Sequence, residues 1–198
     1  SPHHKDNIRR HLRRGGHKAK TSGMAGRALI PNRVSIEERP SQDYGRSIGD
    51  WEMDTIVGKE GKGAIVTLVD RKSCYMLMEK LNMGKQAVSL ANTVVRLLKN
   101  AGLPVRTITT DNGKEFASHQ IIAEQLNTTV YFAHPYSSWE KGAIENMNGL
   151  IRQYIPKKTD FKGITNGMIA NIMEKLNNRP RKKNGFTKPR DMIKEQIT

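Results

Sequence analysis

The stretch GDWEMDTIVGKEGKGAIVTLVDRKSCYMLMEKL, residues 49–81, has the most regular pattern in the chain. In WEMDTIV, residues 51–57, apolar and acidic side chains alternate, which predicts a strand with one buried face. The run GAIVTLVD, residues 63–70, is apolar enough for a strand buried on both sides, and CYMLMEKL, residues 74–81, predicts a third strand. Because only short turns separate the three strands, we expect an antiparallel meander.

The chain beyond this meander alternates helices with strands. Apolar residues recur at helical spacing in MGKQAVSLANTVVRLLKNAG, residues 83–102, with Val88 as the first of them and Gly102 as the stop signal. Strands are predicted at residues 105–111 and 128–133, with a short amphipathic helix between them. Since both strands are entered from helices, we expect parallel pairing there. The result is an α/β fold with a mixed five-stranded sheet flanked by helices.

Two further helices are predicted in the last third of the chain. The first covers about residues 139–155 and ends before Pro156. Ser137 and Glu140 stand at its start in the spacing of a capping box. The second covers about residues 165–178.

The positive charge of the chain is concentrated at its two ends. The 198 residues include 34 Lys and Arg against 19 Asp and Glu, for a net charge of +15. Residues 1–20 contribute +6 and residues 150–198 contribute +8, so the part between them is almost neutral. This distribution indicates a polyanionic partner, with nucleic acid ahead of an anionic membrane surface. We divide the chain into a basic arm at 1–47, a core at 48–180 and a basic, irregular tail at 181–198.

Composition also excludes several classes of protein. No apolar run approaches the ~20 residues that a membrane-spanning helix needs, and no apolar stretch follows the first charges as in a secretory signal. Cys74 is the single cysteine, which excludes a disulfide scaffold or a cysteine zinc cluster and fits a reducing interior. We expect Cys74 to be a small buried residue in the third strand and His119 to be exposed on its helix.

Three acidic residues stand where the predicted elements could bring them together. Asp54 lies in the first strand, Asp111 ends the fourth, and Glu145 lies in the helix after the fifth. Asp50 and Glu52 share the predicted face of Asp54, so periodicity does not choose among the three. Carboxylates that meet at one edge of a sheet repel each other unless a cation neutralises them. Oxygen ligands of this kind select Mg²⁺ or Mn²⁺, and two such ions can promote phosphodiester cleavage.

Each of these acids also has an ordinary structural explanation. An acid in a strand commonly faces solvent, Asp111 precedes an Asn-Gly turn whose backbone it can bond, and Glu145 could be a surface charge. The combination of the three, rather than any one of them, points to a site.

Two segments make the chain recognisable. TTDNGKEF, residues 109–116, and HPYSSWEKGAIENMNGLIRQYIPK, residues 134–157, resemble the signature blocks of DDE transposases, which belong to the ribonuclease H-like superfamily. Asp111 and Glu145 are separated by 33 residues. That gap, together with GDWEMDTIVG upstream and LNNRPRKKNGF downstream, resembles the IS-thirty family of bacterial insertion sequences in particular. The resemblance runs from about Ile30 to Arg190.

The resemblance implies a site and a reaction. By matching position it assigns Asp54, Asp111 and Glu145 as the catalytic, metal-binding carboxylates, and it selects Asp54 over its neighbours. It implies Mg²⁺ or Mn²⁺, as two ions, with cleavage by water at transposon ends and attack of the freed 3′-hydroxyl on target DNA. It also implies double-stranded DNA as partner, a homo-oligomer, and a place at the nucleoid in the bacterial cytoplasm.

The chain departs from the family pattern in two ways. Ile144 stands where family members often carry Asn before the Glu, although the residues that follow agree. No helix-turn-helix pair is visible in residues 1–47, so we expect a catalytic-core fragment or a truncated element. The alternatives are a catalytically silent DNA-binding or assembly remnant and a nuclease fold that acts on RNA.

The residues expected to contact DNA surround the Glu145 helix and the basic ends. Arg152 and Gly149 follow Glu145 at helical spacing; Arg152 could meet a phosphate, and Gly149 could let the helix approach the sheet. Tyr136 and Trp139 could stack on an unpaired base or simply pack as a staple. The predicted contacts are Tyr136, Trp139, Lys141, Arg152, Arg179, Arg181 and Lys182. The arm adds phosphate contacts from Arg9, Arg10, Arg13, Arg14, Lys18 and Lys20.

Overall fold

A six-stranded sheet with helices on both faces forms the protein in a computed structural model that describes residues 30–135 and 137–197. The strands are β1 (Val34–Ser35), β2 (Asp50–Val57), β3 (Ala64–Asp70), β4 (Met76–Leu81), β5 (Thr107–Thr110) and β6 (Thr129–Phe132). The α-helices are α1 (Ala87–Ala101), α2 (His119–Leu126), α3 (Gly142–Ile151), α4 (Asn166–Asn177) and α5 (Pro189–Ile197). The strand order across the sheet is β1-β6-β5-β2-β3-β4.

The sheet pairs its strands as the sequence predicts. Strands β2, β3 and β4 form an antiparallel meander, in which Asp54 lies opposite Thr67. Strand β5 pairs in parallel with both β2 and β6. The predicted α/β class and mixed sheet are therefore confirmed.

A sixth strand is added at the edge of the sheet. The two residues of β1 pair in parallel with Tyr131 and Phe132 of β6, and Ile36 after them is buried. The prediction of five strands was wrong in this respect because two residues are too few to show any alternation. Residues 30–47, which the sequence assigns to the basic arm, thus pack against the core from Ile30 onward.

The hydrophobic core has two halves, one on each face of the sheet. Trp51 and Met53 of β2 face α1 and α2, whereas Ile56 faces α3 and α4. All seven residues of β3 are buried, as expected for a strand covered on both sides. The face between the sheet and α3 is the one that carries Glu52 and Asp54, because alternate residues of a strand share a face.

Helix α1 ends as predicted but starts its buried stripe later. Gly102 adopts a left-handed conformation with φ of 63° after the last helical residue, a typical helix stop. Val88, expected in the buried stripe, is 55 % exposed. Leu90 opens the stripe instead, and Ala91, Val94, Val95 and Leu98 continue it. At 3.6 residues per turn, Val88 falls just beyond the edge of this stripe.

The helix predicted at residues 139–155 is shorter, and its capping box is wrong. A 3₁₀ turn at Ser138–Lys141 precedes α3, which ends at Ile151. Ser137 makes no capping hydrogen bond; its ψ of 63° departs from the extended conformation that an N-cap residue adopts. Glu140 instead accepts hydrogen bonds from the backbone N–H and from Nδ1 of His134, both at 2.8 Å.

The C-terminal region is more ordered than its composition suggests. Helix α4 lies close to its predicted range, but α5 occupies part of the region predicted as an irregular tail. Pro189 opens α5, a position that proline favours, and Ile193 is 6 % exposed within the core. The high density of basic residues obscured these helix signals. No helix in the described ranges is long and apolar enough to span a membrane.

Two further sequence predictions were wrong. His119 is 3 % exposed, because the chain before β1 covers it: its Nε2 lies 3.2 Å from the carbonyl oxygen of Asn32. Its ring also packs edge-on against Phe132, with centroids 4.9 Å apart. Cys74 lies in the turn between β3 and β4 with φ of 59°, partly exposed, rather than in a strand.

Candidate active site

Two acidic side chains are placed side by side by the parallel pairing of β2 and β5. Asp54 lies within β2, and Asp111 directly follows β5. Asp54 accepts hydrogen bonds from the backbone N–H of Thr55 at 2.7 Å and from Nδ2 of Asn148 at 3.0 Å. Asp111 accepts one from the backbone N–H of Gly113 at 2.8 Å. Both carboxylates are therefore held in fixed orientations.

The structure separates Asp54 from the two acids that share its face of β2. Glu52 is fully buried and accepts hydrogen bonds from the backbone N–H of Ile144 at 2.8 Å and from Arg71 at 2.6 Å. Asp50, 1 % exposed, accepts hydrogen bonds from Gly45 and Thr107. Asp54 is only partly buried. Glu52 and Asp50 therefore connect neighbouring segments through buried hydrogen bonds, and Asp54 is the acid of the three that a ligand can reach.

One side of helix α3, together with the turn before it, lies over these two aspartates. Lys141 places its Nζ 3.1 Å from Oδ2 of Asp111, although only 7 % of its side chain is exposed. Asn148, seven residues later, bonds Asp54 and also accepts from Thr67 at 3.1 Å. Glu145 lies between Lys141 and Asn148 at helical spacing and is exposed.

The three predicted carboxylates do not form a closed cluster. Asp54 and Asp111 are near neighbours, and Glu145 stands on the helix beside them. Within the described part of the chain, no three acidic, histidine or cysteine side chains come close enough together to hold a metal ion.

Burial and neighbouring charges set the electrostatics of this site. Burial raises the pKa of the Asp54 carboxyl, and the nearby charges of Asp111 and Glu115 add to the rise. The Lys141 ammonium and the Thr55 amide oppose it. Asp54 therefore lies near two other carboxylates, and the Lys141 ammonium offsets part of their effect on its pKa. A further positive charge would reduce the repulsion among these carboxylates.

Glu115 is a fourth carboxylate at the site that sequence reasoning missed. It accepts hydrogen bonds from Thr55 Oγ1 at 3.0 Å and from Lys85 Nζ at 2.6 Å. Burial alone would raise the pKa of Glu115, but these bonds and the Lys85 charge lower it below its ordinary value. Its position in the TTDNGKEF block was the available signal, but nothing in the block distinguishes it from an ordinary turn residue.

The Asn-Gly pair after Asp111 has a specific structural role. Asn112 donates from Nδ2 to the carbonyl oxygen of Ala133 at 2.7 Å, which ties the end of β5 to the end of β6, and it accepts from Arg33. A Cβ atom on Gly113 would lie 2.6 Å from Oε2 of Glu115 and 3.0 Å from Oδ1 of Asp111. A side chain at position 113 would therefore crowd both carboxylates and require the Glu115 side chain to move.

The predicted DNA contacts near α3 have varied surroundings. Trp139 is 73 % exposed. Arg152 donates to the carbonyl oxygens of Val57, Ile155 and Pro156, so its guanidinium also braces the end of the helix. Gly149 is exposed with nothing near the place of a Cβ atom, so the idea that it lets the helix approach the sheet was wrong.

The remaining predicted DNA contacts include three basic residues after α4 and several residues that the structure does not describe. Arg179 and Lys182 are exposed, and Arg181 is partly buried with a 2.9 Å hydrogen bond to the carbonyl oxygen of Leu176. Tyr136 and the basic cluster of the arm, from Arg9 to Lys20, lie outside the described residues.

The donor set suits a hard divalent cation. Asp54, Asp111 and Glu145 offer only carboxylate oxygens, and Glu115 is close by. The nearest histidine in sequence to α3, His134, is engaged with Glu140 and Glu37. Oxygen ligands without cysteine or free imidazole favour Mg²⁺ or Mn²⁺ over zinc.

Comparisons with known proteins agree with this fold. Residues 46–138 match the family described as Integrase core domain. The crystal structure of the catalytic core domain of BIV integrase superposes with a TM-score of 0.57, covering 75 % of this chain and 95 % of that chain, at 20 % sequence identity. The fold is thus that of an integrase catalytic core, and the predicted ribonuclease H-like fold is confirmed.

Relatives among curated proteins narrow the class further. The chain is 48 % identical over 193 residues to the transposase for insertion sequence element IS4351 of Bacteroides fragilis, covering 96 % of this chain and 59 % of the relative. It is 37 % identical over 191 residues to transposase InsI for insertion sequence element IS30A of Escherichia coli, covering 96 % and 49 %. The chain is therefore similar to transposases of insertion sequences, that of IS30A among them, and it spans about half the length of the curated relatives that it matches.

The departure at Ile144 has a simple explanation. Its side chain is fully buried against the sheet, and its contact with Glu52 is made by the backbone N–H. An apolar side chain at this position therefore fills the core and leaves the adjacent Glu145 on the outside of the helix.

Proposed function

We propose that this chain carries the catalytic core of an enzyme that cuts DNA at transposon ends and joins the freed ends to target DNA. Asp54, Asp111 and Glu145 are its catalytic carboxylates and bind Mg²⁺ or Mn²⁺, as two ions. The observation that carries the proposal is the pairing of a half-buried Asp54 with Asp111 on adjacent parallel strands, under a helix that presents Glu145.

Each residue of the site has a defined task in this proposal. Asn148 and the Thr55 amide orient Asp54, and the Gly113 amide orients Asp111. Lys141 neutralises Asp111 before the substrate arrives. When bound, the metal ions would activate the attacking oxygen and stabilise the leaving oxygen.

The reaction consists of two phosphoryl transfers of the same type. In the first, a water oxygen forms a bond to the phosphorus at the transposon end, the bond from phosphorus to the 3′ oxygen breaks, and a 3′-hydroxyl is released. In the second, that 3′-hydroxyl oxygen bonds a target phosphorus and displaces the target's own 3′ oxygen. One bond forms and one breaks in each step, so neither step needs an external energy source.

The substrate and setting follow from this activity. The partner is double-stranded DNA, both transposon ends and target, and the basic C-terminal segment supplies phosphate contacts. Because two ends must be joined in one event, we propose a homo-oligomer. We place the protein at the nucleoid in the bacterial cytoplasm, where such DNA is found.

Substitution of each carboxylate tests the proposal. Asp54→Asn, Asp111→Asn and Glu145→Gln should each abolish Mg²⁺-dependent cleavage of a duplex that carries the transposon end, while the circular dichroism spectrum stays unchanged. Glu124→Gln, on the exposed face of α2, is the matched control and should cut normally. Normal cleavage by the Asp54 variant would contradict its assignment.

A catalytically silent DNA-binding remnant is the second candidate function. It is favoured by the open position of Glu145, since the described carboxylates form no three-membered metal cluster. This alternative predicts salt-dependent DNA binding with no cleavage under any Mg²⁺ or Mn²⁺ concentration, so the same assay decides between the two.

A further inference from the structure

A concave pocket of about 400 Å³ lies against a different side of α3 from the one that faces the aspartates. Its lining includes Arg71, Trp139, Asn146, Arg181, Lys182 and Lys183. We propose that this pocket binds one unpaired nucleotide of a DNA strand, with the base on Trp139 and the phosphate held by the 181–183 cations. The inference rests on the proposed function, since it names a subsite for the same DNA substrate.

The pocket has a surplus of positive charge. Arg181, Lys182 and Lys183 are consecutive, and none of them pairs with an acid among the described side chains. Arg71 is balanced by Glu52 at 2.6 Å, and Lys183 donates to the backbone carbonyl of Arg71, which fixes the basic turn beside the pocket. Three cations without counter-charges converge here, as a phosphate site requires.

Arg181 in particular has unused hydrogen-bonding capacity. One end of its guanidinium bonds the carbonyl oxygen of Leu176 at 2.9 Å, but its buried Nε has no partner. This side chain is only partly exposed, and its burial lowers the pKa of the guanidinium. A partly desolvated cation gains more from an anionic ligand than an exposed one.

Trp139 provides an aromatic surface at the same pocket. Of the two tryptophans, Trp51 is fully buried, whereas Trp139 is 73 % exposed in the turn that leads into α3. Gly142, beside it, leaves open space where a side chain would stand. A large exposed indole next to cations is the combination that stacks on a base while the phosphate is held.

The size and shape of the pocket favour an unpaired nucleotide over a duplex. Its volume lies at the lower end of the ~300–1,000 Å³ range of small-ligand pockets. A double helix keeps the faces of its bases stacked inside, so it could present only phosphates here. A nucleotide that is extruded or that lies beyond a cut end offers both groups.

Tryptophan fluorescence can test this pocket directly. The protein is titrated, in EDTA so that no cleavage occurs, with a blunt duplex and with the same duplex carrying a short single-stranded overhang. We expect the overhang to quench the emission with at least tenfold higher apparent affinity, and Trp139→Phe, which retains only Trp51, to show no quenching. Equal quenching by both DNAs, quenching that survives in Trp139→Phe, or quenching by inorganic phosphate alone would overturn the proposal.

Charge substitutions test the phosphate side of the pocket. The double variant Lys182→Ala/Lys183→Ala should bind the overhang on the order of tenfold or more weakly and lower the salt dependence of binding. The matched double variant Lys157→Ala/Lys162→Ala removes the same charge at exposed positions outside the pocket and should retain the preference for the overhang. Equal losses in the two double variants would show a general charge effect and overturn the assignment.

The Asp54→Asn variant separates this inference from the proposed function. It should retain the overhang-dependent quenching of Trp139 while it loses cleavage. Quenching without cleavage by the wild-type chain would count against the proposed function alone, and cleavage without overhang-dependent quenching would count against the pocket alone.

Discussion

Nζ of Lys141 lies 3.1 Å from Oδ2 of Asp111, so a nearly buried ammonium group neutralises one carboxylate of the site. Burial raises the pKa of the Asp54 carboxyl, and the same ammonium opposes that rise. Lys141 therefore occupies the electrostatic role that a divalent cation would otherwise have at these two aspartates. Metal binding and the Lys141 contact should compete.

The first prediction concerns this competition. Lys141→Met removes the ammonium and keeps an apolar side chain of similar length, so the free protein should bind Mn²⁺ on the order of tenfold more tightly at pH 8. Isothermal titration calorimetry measures the affinity. Lys114→Met, an exposed lysine in the neighbouring turn, is the control. Unchanged or weaker Mn²⁺ binding in Lys141→Met would show that the lysine does not compete with metal.

The second prediction concerns the orientation of Asp54. Asn148→Ala removes the 3.0 Å hydrogen bond to Asp54 and the 3.1 Å bond from Thr67. Because such orienting partners of a metal-binding carboxylate typically contribute 10–100-fold, cleavage should fall by about that factor. Gln153→Ala, on the exposed turn after α3, should have no effect. The melting temperature should change little, so a loss of activity accompanied by unfolding would contradict this role.

The third prediction is a pH dependence in the segment before α3. The hydrogen bond to Glu140 raises the pKa of His134, and Glu37 adds to the rise. A raised pKa means that the protonated form is favoured by folding, so the stabilisation is complete below about pH 6.5 and is lost as the pH rises through the higher folded value. The melting temperature of the wild type should exceed that of His134→Gln at pH 5.5 and approach it at pH 9. A difference that is constant across this range would contradict the role of the charge.

The fourth prediction concerns Asn177, which lies in the LNNRPRKKNGF segment. The side chain of Asn177, 4 % exposed, donates to the carbonyl oxygen and accepts from the N–H of Met76, both at 2.9 Å, and so ties α4 to the edge strand β4. Asn177→Ala should lower the free energy of unfolding by about 2–4 kcal/mol, since it leaves two buried backbone groups unpaired. Urea denaturation measures this change.

Asn178 provides the comparison for this measurement. Its side chain bonds only the carbonyl oxygen of Glu174 at an exposed position, so Asn178→Ala should cost less than about 1 kcal/mol. Equal losses for the two variants would show that burial of the Asn177 bonds is unimportant.

Much of the sheet could be predicted because its signals are local. The alternation in WEMDTIV and the apolar run of β3 depend only on neighbouring residues, and both strands formed as expected. Strand β1 could not be predicted, since its two residues gain their pairing from β6, nearly a hundred positions away in sequence. The burial of His119 could not be predicted from the sequence for the same reason. The residue that covers it, Asn32, is distant in the chain.

The candidate site was only partly predictable. Asp54 could not be separated from Asp50 and Glu52 by periodicity, because all three share one face of β2. Their environments differ only after folding, when Glu52 bonds Ile144 and Asp50 bonds Thr107. Glu115 gave no signal of its own, and its proximity to Asp54 comes from the way the turn after β5 folds over Gly113.

The sequence by itself determined the order of the main strands, the excess of positive charge at the two ends and the resemblance to transposases of insertion sequences. These depend on composition, on periodicity along a single segment and on the spacing of a few residues, all of which are properties of the linear chain. Only the tertiary structure decided which acids form buried hydrogen bonds inside the fold. It also decided that Lys141 neutralises Asp111 and that Trp139 and the 181–183 cations share a pocket. Those outcomes depend on burial and on distances between residues that are far apart in sequence, and such distances exist only once the chain has folded.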